Sequence, residues 1–110
     1  MNNRFGSHPE AKRLHSNAFK RDFFTQGVSD ACWHGCSMAC AKAVDGFTLR
    51  TGPYQGEKVL VDGPEYETAA GCANMGCFDP AFAVEFNFYC DTYGLDTISA
   101  ATGIAFVMEC

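Results

Sequence analysis

DPAFAVEFNFYCDTYG, residues Asp79–Gly94, carries the signals for both ends of a helix and a body too apolar for a surface one. Asp79 suits the capping position, and proline at the first helical position loses only an N–H that has no helical partner. Gly94 stands where helices are commonly closed by a left-handed residue. Between them Phe82, Val84, Phe86, Phe88 and Tyr89 occupy most of the circumference, which predicts a helix from Pro80 to about Tyr93 buried on more than one side. A second helix is expected from about Ser99 through Ile104, Phe106, Val107 and Met108 to the last residue, with no capping signal at Cys110. An apolar helix that meets the terminus with its last carbonyls unprovided for reads as a partial chain.

Upstream, Phe47–Arg50 and Lys58–Val61 are β-prone runs on either side of the turn residues Thr51–Gly56, which predicts a small hairpin. A short helix is expected after Ser37, and a glycine-interrupted segment between Thr68 and Cys77. The first 21 residues are polar and hold five of the eight basic side chains, so residues 1–30 read as a loop-rich amino-terminal segment. Residues 31–110 read as a helical domain, itself partial. The expected fold class is mainly α with a small β-hairpin.

At 110 residues the chain is one domain at most, small for an enzyme that must also enclose a cofactor. A net charge of −5 argues against nucleic acid or an anionic membrane as partner. The amino terminus has no apolar signal core and no later run approaches a membrane span, so the expected compartment is the cytoplasm.

Three features carry chemistry. Cys32, Cys36 and Cys40 fall within ACWHGCSMAC, and thiols this dense suit soft-metal ligation, whereas an odd total of seven cysteines excludes a complete disulfide framework. The C-x3-C-x3-C spacing is neither that of a zinc ribbon nor that of a bacterial ferredoxin, which leaves an iron-sulfur cluster, zinc and unligated thiols open. In Gly63-Pro64-Glu65-Tyr66-Glu67-Thr68 two carboxylates flank a tyrosine, a proton-accepting pair if enclosed and a solvated loop if not. In Asp91-Thr92-Tyr93-Gly94-Leu95-Asp96-Thr97 two aspartates bracket a helix junction, either as acceptors for a polar ligand or as a plain helix stop and cap. Cys72, Cys77 and Cys90 read as small core side chains.

Taken in order, Cys-Ser-Met-Ala-Cys, Gly-Pro-Glu-Tyr-Glu-Thr, Asp-x-x-Gly-Leu-Asp-Thr-Ile-Ser and Ile-Ala-Phe-x-Met-Glu resemble the aldehyde:ferredoxin oxidoreductase family over roughly Ala31–Cys110. The resemblance implies a partial chain from the helical portion of a longer enzyme. That enzyme holds tungsten (or molybdenum) in a bis-pterin beside a 4Fe-4S cluster, oxidises a small aldehyde to a carboxylic acid and passes electrons to ferredoxin. It further implies that Cys36 and Cys40, with Cys32 as the first ligand one residue out of the family spacing, hold the cluster. The fourth cysteine would come from the remainder of the parent polypeptide or a complementing subunit. Asp91, Leu95 and Asp96 match the first of two pterin-binding motifs, and Glu67, with Glu65 as the alternative, matches a carboxylate near the metal. The isolated chain is then expected to be inactive. Rival readings are a non-enzymatic iron-sulfur electron-transfer or scaffold module, which would not need the motif at Asp91, and a zinc-stabilised structural domain.

Overall fold

The predicted helix is present with both its signals in use. In the computed structural model, which describes residues 9–24, 29–31 and 33–110, helix α3 spans Pro80–Tyr93. Asp79 Oδ1 accepts from the Ala81 N–H at 3.0 Å. Gly94 closes the helix in the left-handed region at φ 65°, which costs glycine little. The Leu95 N–H then reaches back to the Cys90 carbonyl at 2.8 Å, satisfying a carbonyl that the helix leaves open. Ala83, Asn87 and Cys90 are buried along one stripe, Val84 beside it and Glu85 on the opposite side, as a helix buried on more than one side requires.

The remaining helices are α1 (Ser16–Asp22), α2 (Tyr66–Asn74) and α4 (Thr97–Glu109), with a 3-10 helix at Pro9–Leu14 ahead of α1. The amino-terminal segment therefore contains helical turns where the sequence reads as loop, and Leu14 and Phe19 from it are buried in the core. Helix α4 starts earlier than about Ser99, because Asp96 Oδ2 caps it by accepting from the Ser99 N–H at 2.8 Å. Helix α2 was not legible; it forms where the Gly63–Thr68 motif ends, and Gly71 in it meets α4 so closely that an added Cβ would lie 2.6 Å from the Ala101 Cβ.

Three antiparallel strands, β1 (Ser29–Asp30), β2 (Ala41–Thr48) and β3 (Lys58–Asp62), lie in that order. The predicted hairpin is β2–β3, and the expected short helix after Ser37 is absent: β2 begins at Ala41 instead. Pairing explains the difference. Ala43 faces Asp62 and Val44 faces Val61 in the ladder, and Ala41, Ala43 and Val44 are buried by it, so tertiary burial overrides the helix preference of the alanines. A left-handed Ala39, at φ 41°, also interrupts any helix through this stretch. The ladder is irregular between Val44 and Phe47, and backbone bonds continue it to Leu49, whose N–H meets the Glu57 carbonyl at 3.0 Å. One core joins Leu14, Phe19, Val44, Val61, Cys72, Met75, Ala83, Val84, Ala101 and Ala105.

Candidate cofactor site

Helix α3 carries two polar interruptions, Glu85 and Asn87, both buried. Glu85 is closed off. Its Oε1 accepts from the Arg50 and Thr51 N–H groups at 2.9 and 2.7 Å and from the Thr51 hydroxyl at 2.9 Å, and its Oε2 accepts from Arg50 Nε at 3.1 Å. Burial pushes its pKa up, but the Thr51 and Arg50 donors together outweigh burial and hold the carboxyl below its ordinary value. Tyr89 reinforces the same contact by donating to the Thr51 carbonyl at 2.6 Å and stacking on Tyr54, so α3 grips the hairpin turn.

Asn87 opens in the other direction. Its Oδ1 accepts from the buried Thr68 hydroxyl of α2 at 2.8 Å. Its Nδ2 donates to the Asp62 carbonyl of β3 at 2.5 Å and to Asp91 Oδ2, one turn along α3, at 2.9 Å. Gly63 lies against this amide: a Cβ there would stand 3.4 Å from both amide atoms and 3.0 Å from the Glu65 nitrogen. Asp91 is exposed as a residue, yet partial burial of its carboxyl, and then the charge of Asp62, push its pKa up. Asp96 differs: hydrogen bonding from Ser99, side chain and then backbone, holds its carboxyl low.

The structure thus brings Asp91, Leu95 and Asp96 together at the α3–α4 turn, all exposed. It sets Glu65 at the N-cap of α2 and Glu67 in its first turn, both exposed, with Glu67 next to Thr68. The Gly63–Thr68 and Asp91–Thr97 motifs, separate in sequence, are therefore joined through Thr68, Asn87 and Asp91. Beside Leu95 and Asp96, a groove of about 480 Å³ runs along α4, lined further by Ser99, Gly103, Ile104 and Val107.

The cysteine segment is built from turns. Cys36 donates its N–H to the Trp33 carbonyl at 3.1 Å, and the Cys40 carbonyl accepts from Lys42 Nζ. Cys36 is half-buried and Cys40 exposed, while Cys32 lies outside the described residues. Trp33 and Met38 are 65% and 77% exposed, so in this chain they form no dry shell around the thiols. Cys72 and Cys90 are buried, and burial, followed by the neighbouring Cys77 and Cys90, pushes the Cys72 thiol up to about 12, which suits an inert core side chain.

A 4Fe-4S cluster takes four thiolates. Among the described residues, no group of three or more His, Cys, Asp or Glu side chains is placed to hold a metal ion, so these residues do not complete a cluster site. The exposed Asp91 and Asp96 carboxylates at the α3–α4 turn are acceptors of the kind that a ligand rich in ring N–H groups, such as a pterin, would need. The sequence motifs give no role to Thr68, Asn87 or Glu85; for the last two the available signal is a Glu and an Asn interrupting an otherwise apolar helix.

Residues 1–110 match the family model described as aldehyde ferredoxin oxidoreductase, domains 2 and 3. The tungsten-containing aldehyde ferredoxin oxidoreductase of Pyrococcus furiosus is 38% identical over 77 residues, 69% of this chain and 11% of that protein. Its counterpart in Thermococcus kodakarensis is 48% identical over 52 residues, 46% of this chain and 8% of that protein. The chain thus spans about a tenth of the length of the curated relatives it matches. No solved structure matches it. Because that family model matches along the whole of this chain, the chain belongs to the aldehyde ferredoxin oxidoreductase family.

Proposed function

We propose that this chain forms part of a cytoplasmic tungsten-pterin oxidoreductase that converts small aldehydes to carboxylic acids and delivers electrons through a 4Fe-4S cluster to ferredoxin. The observation that carries the reading is the Thr68–Asn87–Asp91 bridge, which sets the Glu67 motif beside the Asp91 motif. Family membership and the relatives' tungsten-containing names support the reaction class and the metal.

When bound, the tungsten pterin supplies the two-electron acceptor for aldehyde oxidation. The chain's own residues do the rest. Asp91 and Asp96 accept hydrogen bonds from the pterin ring, with Leu95 as the apolar member of the set. Glu67 takes up a proton released as the aldehyde carbon is oxidised, and Glu65 is the neighbouring alternative. Cys36 and Cys40, with Cys32, provide cluster thiolates, and the remainder of the parent polypeptide or a complementing subunit provides the fourth. Activity belongs to the assembled protein, not to the isolated chain.

The test is Glu67→Gln in the full-length protein, prepared anaerobically. Gln keeps the size and polarity of Glu but takes no proton, so kcat should fall by roughly 10²- to 10⁴-fold with tungsten and iron content unchanged. Glu65→Gln should have the smaller effect. Wild-type turnover in both variants at full metal content would leave the two carboxylates as a solvated helix end and overturn the assignment.

A further inference from the structure

The side-chain amide of Asn87 has its orientation dictated by its surroundings. The Asp62 carbonyl and Asp91 Oδ2 are both acceptors, at 2.5 and 2.9 Å from Nδ2. A flipped amide would turn its oxygen on both of them, two acceptor-acceptor contacts in a buried place. Thr68, 1% exposed, completes the set by donating to Oδ1, so both N–H bonds and one oxygen lone pair are committed. Asp91 is exposed, and it is held through Oδ2.

We propose that Asn87 is the positioning residue of the pterin-binding carboxylate: clamped by Thr68 and the Asp62 carbonyl, it fixes Asp91 Oδ2 and so aims the other oxygen for the ligand. The inference rests on the pterin role proposed above for Asp91. Thr68 acts through Asn87, and thus α2, β3 and α3 jointly set the position of one carboxylate. The titratable groups that face Asp91 are Asp62 from β3 and Cys90 on its own helix, where Asp96 from the α3–α4 turn also acts; α2 presents the uncharged Thr68. Asn87 donates to Asp91 Oδ2 and so favours its ionised form, against the upward push of burial and Asp62.

The experiment is acid release of pterin from the full-length, cofactor-loaded protein, read as the fluorescence of oxidised pterin in the filtrate across a pH series. Asn87→Asp sets a third carboxylate against Asp62 and Asp91, and should move the release midpoint up by about one pH unit. Thr68→Val, which removes only the hydroxyl, should move it the same way by less, and Thr68→Ser should leave it at the wild-type value. A purely structural role would lower the melting temperature of Asn87→Asp and Thr68→Val without moving the midpoint. If Asn87→Asp fails to fold, Thr68→Val against Thr68→Ser carries the test. Asp91→Asn separates the two readings. Full pterin with an unchanged midpoint in Asp91→Asn removes the pterin role itself. Pterin loss in Asp91→Asn, with wild-type midpoints in the Asn87 and Thr68 variants, removes the positioning role alone.

Discussion

Two carboxylates on one helix, Glu85 and Asp91, live in opposite surroundings. Glu85 is buried and receives four hydrogen bonds from Arg50 and Thr51, so its charge is fully used inside the chain. Asp91 is exposed, receives one donor from Asn87 and faces the like charge of Asp62. The first is held below its ordinary pKa and the second above. A carboxylate satisfied by its own fold stabilises that fold. One that the fold leaves short of donors is available to something else, and keeping it ionised costs stability.

Neutralising each carboxylate breaks this comparison most directly. Glu85→Gln keeps the shape but turns an amide donor toward the Arg50 fork, and should destabilise the protein by about 2–3 kcal/mol, read as a lower unfolding midpoint. Because the folded pKa of Glu85 is depressed, its contribution is fully present above its unfolded pKa of about 4.3 and disappears as the pH falls through the folded value. The Glu85→Gln deficit should therefore shrink on acidification.

Asp91→Asn should act with the opposite sign and a smaller size. The folded pKa of Asp91 is raised, so the ionised group costs stability above that value, and acidification toward the unfolded pKa of about 3.9 relieves the cost. At neutral pH Asp91→Asn should raise the unfolding midpoint by less than about 1 kcal/mol equivalent, since the group is solvent-screened. A destabilised Asp91→Asn would mean that Asp91 is a structural acceptor like Glu85, and the contrast would collapse.

Much of this is legible in the sequence. Asp79, Pro80 and Gly94 mark the ends of α3 because capping chemistry is local, and the β2–β3 hairpin shows in its turn residues. The start of β2 was hidden because Ala41 and Ala43 are strand residues only through what they pair with and bury. Helix α2 was hidden because Gly71, a helix weakener locally, is there to let α4 approach. Of the candidate site, Asp91, Leu95, Asp96 and Glu67 were readable as motifs, whereas Thr68 and Asn87 acquire their meaning from contacts across 19 residues of sequence.

The most direct test of the account is the pterin content of the full-length Asp91→Asn protein, measured beside Glu85→Gln. The account predicts that Asp91→Asn is folded and at least as stable as wild type, yet retains pterin roughly tenfold less well, because a charge-assisted acceptor has been lost. Glu85→Gln should be less stable but, where folded, fully loaded. Full pterin occupancy in Asp91→Asn, with loss confined to Glu85→Gln, would contradict it.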